Sequence, residues 1–376
     1  MRNCLLRTAL TMGVGLAALL SVPPFALSPL RAATLPASIP DEEFWRIVTD
    51  LSEAGGAFAQ ELMSNEDSAQ FVIPALKAST SRGGVYIGVG PEQNFTYIAA
   101  IQPALAFVLD IRRDNLLQHL IYKAVFERSA DRADFLSRLF SRKRPAGLDA
   151  SSSVTALFDA FQAVDADAQL YEDELREVLE LLTARHRFQV SDADKAGITR
   201  IMLAFRTAGP HNLKGSGDKN LTYVQAMTAA DLAGNQHGFL ASEENFRIVQ
   251  QLERRNLIVP VVGDFAGDKA LASVGRYVAQ RDAIVDVFYV SNVERYLFEQ
   301  GDRGRRFYAN VATLPLRPSS TFIRSVTRDI SKRLNIPLPE ASGNWWSLLS
   351  PIHACLEAVT TGRVATYPQL FEVAKE

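Results

Sequence analysis

The stretch VYIGVGPEQNFTYIAAIQPALAFVLDIRRDN, residues 85–115, decides the fold. Val85-Tyr86-Ile87 is a short run of β-formers that stops at Gly88-Val89-Gly90-Pro91. Phe95–Ile101 reads as a short helix ended by Pro103. Leu105–Ile111, LAFVLDI, is a continuous apolar run with the texture of a strand buried on both faces. Asn115–Phe126 then puts Leu116, Leu117, Leu120, Ile121, Ala124 and Val125 at helical spacing. Strand, glycine turn, helix, strand, helix is the order of a βαβ unit and calls for a parallel sheet.

The same texture returns after residue 242. Ser242 is a helix N-cap with Glu243 and Glu244 in the first turn. Leu257–Val262 reads as a strand, Asp268–Gln280 as a helix and Ala283–Val290 as a strand. Phe307–Val311 reads as a weaker strand. Phe322–Leu334 and Trp345–Val359 read as helices, the second in spite of Pro351. Between the two blocks, residues 129–244 show helical periodicity at 154–163, 170–184 and 193–205 but no convincing strand. Thr207–Gly238 is long, polar and spotted with glycine, the pattern of a lid or a disordered loop. Strands near 85, 105, 257, 284 and 307 therefore predict an α/β fold: a doubly wound, mainly parallel, Rossmann-like sheet of about five strands. Residues 41–128 and 246–376 would form it. Residues 129–245 would be a helical insertion or cap with a long polar loop.

Composition bounds the function. The 376 residues carry a net charge of −2, with 47% hydrophobic and 22% charged residues, the balance of a globular chain with no bulk pull toward nucleic acid. Two cysteines exclude a disulfide scaffold, and no metal-ligand spacing, nucleophile elbow or phosphate-loop lysine occurs. Arg2 and Arg7 flank an apolar run, Ala9–Val22, followed by a proline-rich stretch to Pro40. This is the pattern of a secretory signal over residues 1–32 with a linker over 33–40, and the run falls short of the roughly 20 residues that span a bilayer. The expected location is periplasmic or secreted, without a stable membrane span after cleavage. It is cytoplasmic if the leader is a mis-called start.

In an open parallel sheet, ligands sit beyond the carboxyl ends of the strands where strand order reverses. The first expected strand is followed by Gly88-Val89-Gly90-Pro91-Glu92, and Asp110 ends the second. Gly263-Asp264-Phe265 follows the third and Ser291-Asn292-Val293-Glu294 the fourth. Polar groups would so converge on a small-molecule pocket at one edge. Each also has a plainer reading: a tight turn for the glycines, a salt bridge to Arg112 or Arg113 for Asp110, a helix cap for Asp264 and Ser291. His119 reads as a packed or solvated helix residue and His186 as a helix end. His211 and His237 lie in the polar segment, where either could serve as a general base in a lid.

This order resembles the class I S-adenosylmethionine-dependent methyltransferases in the stretches VYIGVGPEQN, AFVLDIRRDN, VVGDF and DVFYVSNVE. The resemblance implies S-adenosylmethionine as cofactor, with Gly88 and Gly90 at its amino-acid moiety, Asp110 at the ribose and Asp264 with Phe265 at the adenine. Ser291 and Asn292 would face the reacting centre, with His237 as the histidine candidate. The sequence departs from the family where Tyr86 stands in place of an acid and Glu92 in place of a third glycine. Glu92 would repel a dinucleotide phosphate but could pair with an ammonium group. The two-strand hairpin that often closes the methyltransferase sheet is not evident after residue 312. The block is also similar to a bacterial sequence family to which no chemistry is assigned.

The implied function is a methyltransferase-like enzyme acting on a small substrate, a reaction that needs positioning more than acid–base groups. The alternative is an exported, non-catalytic ligand-binding or interaction protein on the same scaffold. The leader favours the alternative, because the cofactor is cytosolic. A third reading is a hydrolase using Asp264 or Glu294 with His211 or His237.

Overall fold

The computed structural model describes residues 34–59, 61–66, 68–215, 221–335 and 345–373. The expected leader, residues 1–32, lies outside them. In chain order the first block comprises α1 (Asp41–Leu51), α2 (Ile73–Ser79), β1 (Val85–Gly88), α3 (Gln93–Ile101), β2 (Leu105–Asp110) and α4 (Arg113–Arg128). Six helices follow: α5 (Arg132–Phe140), α6 (Val154–Phe161), α7 (Ala168–Glu180), α8 (Asp192–Asn212), α9 (Tyr223–Thr228) and α10 (Glu243–Arg254). The chain then forms β3 (Ile258–Val262), α11 (Ala270–Ala279), β4 (Val285–Ser291), α12 (Val293–Phe298), α13 (Arg303–Val311) and β5 (Thr321–Thr327). It closes with α14 (Arg328–Arg333), β6 (Trp345–Pro351), α15 (Ile352–Thr360) and α16 (Leu370–Val373).

The strands make one sheet in the order β3-β2-β1-β4-β5-β6, parallel except for β6, which runs antiparallel to β5. All residues of β1, β2 and β3 are buried, as expected for parallel strands covered on both faces. Strand order reverses between β1 and β4, so the loops after these two strands diverge and leave a crevice at their carboxyl ends. The fold is thus α/β with a doubly wound, mainly parallel sheet. Helix α4 is buried from Asn115 to Phe126 because the sheet covers one side and α5, α8 and α10 cover the others. The enclosure also takes in polar side chains, since Asn115, Gln118, His119 and Lys123 are buried along with the apolar residues.

The last third corrects three sequence expectations. Phe307–Val311 is not a strand but the end of α13. Phe307 and Val311 are one helical turn apart and both are buried, a spacing that the short apolar run disguises. Phe322–Leu334 is not one helix: Thr321–Thr327 is strand β5, and Thr327 caps α14 through its side chain. The misleading residue is Arg324, a fully buried charge on a strand. It donates to Glu294 Oε1 at 3.1 Å and to the Tyr308 hydroxyl at 3.1 Å. Trp345–Val359 divides at Pro351 into β6 and α15, since proline ends the strand and cannot donate to a helix ladder. The sheet therefore has six strands, and its closing antiparallel pair is present, with Thr321 opposite Pro351 and Thr327 opposite Trp345.

One histidine fastens the N-terminal helix to the rest. His186 Nδ1 meets Asp41 Oδ2 at 2.8 Å, and Nε2 meets Glu127 Oε2 at 2.8 Å. Both ring nitrogens face carboxylates, so both carry protons. Burial opposes that charge, but the hydrogen bonds to Glu127 and Asp41 outweigh burial and raise the His186 pKa above its ordinary 6.5. A raised histidine pKa stabilises the fold fully below the unfolded value and ceases to do so as pH climbs through the folded one. Replacing His186 with Gln should cost about 1–2 kcal/mol at pH 6, given charged hydrogen bonds with one partner partly exposed. Urea denaturation at pH 6 and pH 9 checks this: the gap between wild type and variant should narrow at the higher pH.

Candidate functional site

The crevice at the β1/β4 switch opens into a cleft of about 600 Å³. Gly90 lines it from the β1 loop, Asp110 and Ile111 from the end of β2, Gly263, Asp264 and Phe265 from the end of β3, and Ser291 and Asn292 from the end of β4. Six of the nine residues singled out in the sequence therefore share one hollow. Gly88, Glu92 and His237 do not line it.

The β1 loop is shaped by an asparagine. Asn94 Nδ2 donates to the carbonyls of Val89 and Gly90 at 3.0 Å and of Pro91 at 2.7 Å, and its Oδ1 accepts from the Tyr86 hydroxyl at 2.9 Å. Tyr86, the departure from the family pattern, thus serves this bond. Gly88 makes room for it: a Cβ there would lie 1.9 Å from Asn94 Oδ1. Gly90 adopts φ +77°, with open space where a side chain would stand. His119 Nε2 lies 3.0 Å from the Gly90 carbonyl and must donate to it. Burial lowers the His119 pKa to about 4, so the ring is neutral at pH 7.

The remaining expected residues divide by their partners. Asp110 is buried and paired with Arg112, whose backbone N–H and Nε reach Oδ1 at 2.8 and 3.0 Å and whose Nη2 reaches Oδ2 at 2.9 Å. Asp264 Oδ1 accepts from the Ala266 N–H at 2.9 Å, and Oδ2 is paired with Arg303. Phe265 packs its ring against Phe288 and Phe307. Glu92 turns inward, where its carboxylate accepts the Ser64 N–H at 3.0 and 3.2 Å. Burial raises the Glu92 pKa to about 7 against these backbone bonds. His237 Nε2 is bonded to Asp231 Oδ2 at 2.8 Å within its own loop, away from the cleft. Glu294 lies in the core with Arg324, and neither His211 nor His237 lines the cleft. The acid–histidine hydrolase arrangement is therefore absent among the described residues.

The sequence reading missed a strap across the cleft. Residues 52–59 and 61–66 cross the carboxyl edge of the sheet and wall the cleft with Ala57, Phe58, Ala59, Glu61, Ser64 and Asn65. Glu53 accepts the Asp264 N–H at 2.8 Å, and the Gly56 N–H donates to the Ile111 carbonyl at 2.8 Å. Arg112 Nη1 reaches the Ala59 and Glu61 carbonyls at 3.4 and 3.1 Å. Gln118 Nε2 reaches the Leu62 carbonyl at 2.6 Å. At the far side Phe58 meets Tyr296 of α12 edge-on, with ring centroids 5.1 Å apart. The readable signal was Gly55-Gly56: a Cβ on Gly56 would fall 2.6 Å from the Ile111 side chain, so the strap can run this close only as glycine. Among the described residues no group of three or more His, Cys, Asp or Glu is placed to hold a metal ion, and no helix is long and apolar enough to cross a membrane.

Arg112 serves two masters, Asp110 and the strap. Replacing it with Ala should destabilise the fold by about 3–5 kcal/mol, the usual result of leaving one member of a buried pair uncompensated. The loss should appear first as faster proteolysis within residues 57–66, read by mass spectrometry of the fragments. A variant cut at the wild-type rate would deny Arg112 this role. In comparisons with known proteins, no curated protein matches the chain. The family model described as "Domain of unknown function (DUF7790)" matches residues 62–353, which takes in all six strands and the cleft-lining loops that follow them but only the end of the strap. The chain therefore belongs to the DUF7790 family.

Proposed function

We propose that the cleft binds S-adenosylmethionine and that the chain is a methyltransferase-like protein acting on a small molecule. The observation that carries this reading is the convergence of four strand ends, through Gly90, Asp110, Asp264 with Phe265, and Ser291 with Asn292, on one hollow of about 600 Å³. That volume suits a ligand of this size. The switch point between β1 and β4 and the antiparallel β6 beside β5 support it further.

The residues present fit the nucleoside half of the cofactor. A carboxylate offers about four lone-pair sites. Arg112 takes two on Asp110 Oδ1 and one on Oδ2, which leaves room for a ribose hydroxyl. Asp264 accepts one bond on each oxygen and keeps capacity for an exocyclic amine, while Ile111 and Phe265 supply apolar wall. The amino-acid half has less support, because Glu92 faces the core and Glu61 of the strap is the acid on that side. When bound, the cofactor supplies an electrophilic methyl group on sulfonium. The chain's own part is to orient the two reactants and to exclude water beneath the strap and the Phe58–Tyr296 contact.

A second reading keeps the scaffold without the reaction: an exported ligand-binding protein. The arginines standing on both expected recognition acids favour it. Calorimetric titration of the purified chain with S-adenosylmethionine and S-adenosylhomocysteine separates the two. The first reading expects micromolar dissociation constants. It also expects Asp110→Asn to weaken binding about 10- to 100-fold, since a hydrogen bond to a charged group contributes about 1.5–3 kcal/mol. Absence of binding by both compounds would leave the second reading standing.

A further inference from the structure

Ser291 holds a backbone conformation that serine rarely adopts. It ends β4 at φ +50°, where the pairing of β4 with β5 slips by one residue, and α12 begins at Val293. Left-handed backbone at a non-glycine residue is strained and persists only where its surroundings fix it. Here the sharp strand-to-helix turn puts Ser291 on the cleft wall.

The group that fixes it is Glu66, from the end of the strap. Ser291 Oγ donates to Glu66 Oε1, and Ser347 Oγ of β6 donates to Oε2 at 3.2 Å. Burial pushes the Glu66 carboxyl up, while the hydroxyls of Ser291, Ser325, Tyr289 and Ser347 pull it down. Among the described residues its partners are hydroxyls, not cations. The neighbouring acids differ: Asp110 is matched to Arg112, Asp264 to Arg303 and Glu294 to Arg324. An acid 4% exposed and without a cation is a stronger base than an ordinary carboxylate. A hydroxyl that gives its proton to such a base keeps its lone pairs for the cleft.

We propose that Ser291 is a nucleophile activated by Glu66 and that the cleft carries an acyl-transfer activity toward small esters. Ser291 Oγ bonds to the acyl carbon as its proton passes to Glu66. The ester C–O bond breaks, and the departing alkoxide takes that proton. Water then attacks the acyl-serine, giving one proton to restore the Ser291 hydroxyl and leaving the acyl group as the free acid. Asn292, next in the chain and also on the cleft wall, can donate its amide to the oxyanion. The inference uses the cleft and not the cofactor, so it stands apart from S-adenosylmethionine binding.

A fluorophosphonate tests it on the full chain without a cofactor: Oγ bonds phosphorus, fluoride leaves and Glu66 takes the proton. Peptide mass spectrometry should find the adduct on Ser291, and the labelling rate should rise with pH as Glu66 ionises. Ser291→Gly, which relaxes the backbone, should abolish the adduct, and p-nitrophenyl acetate hydrolysis should vanish with it. Glu66→Gln should slow labelling at least about 100-fold, the scale of a lost general base. An unlabelled Ser291 in the wild type overturns the proposal. So does a rate that is flat with pH, and so does E66Q labelling as fast as wild type. The wild-type measurements decide even if a variant fails to fold, and calorimetry on the same sample scores the cofactor separately.

Discussion

The buried guanidinium of Arg112 is the interaction on which the cleft depends. It locks the carboxylate at the end of β2 on one side and two strap carbonyls on the other. A carboxylate left alone at that depth would be held at a cost of several kcal/mol, and so would the arginine. Each is tolerable because the other is there, and the strap carbonyls use the remaining donors. The cleft thus gets its floor from the parallel strands and its cover from an irregular segment fixed by polar bonds.

The part of the fold legible in the sequence is the part where local pattern and tertiary role agree. LAFVLDI and IVPVV are continuous apolar runs because both faces of β2 and β3 are covered. The misreadings fall where one residue's tertiary partner overrides its local appearance. Arg324 looks like a surface charge on a helix, but Glu294 and Tyr308 neutralise it inside the sheet layer. Pro351 looks tolerable inside a helix, but it marks the change from β6 to α15.

The site was half legible for a similar reason. Positions immediately after strands can be read from strand ends, so Gly90, Asp110, Asp264 and Ser291 were within reach. What each side chain does there could not be read. Glu92 follows the glycines in sequence, but it is fully buried with its carboxylate accepting the Ser64 N–H of the strap, and it does not line the cleft. Glu66 lies in SNEDSAQ, a stretch with the composition of a linker. Only the pairing of strap to β4 and β6, distant in sequence, gives it a role.

The pairing of charges along the sheet edge limits the chemistry open to the cleft. An acid matched to an arginine is held in one orientation by it and keeps lone pairs for a ligand's donors. Asp110 and Asp264 are in that position, which suits binding and orientation. His119 is neutral and committed to the Gly90 carbonyl, and His237 is committed to Asp231 outside the cleft. On the proposal made above, proton transfer at this edge falls to the acid whose partners are hydroxyls, because a serine that bonds to an acyl carbon as its proton leaves builds up no free alkoxide. In this chain that acid is Glu66, and its contact with the cleft is Ser291.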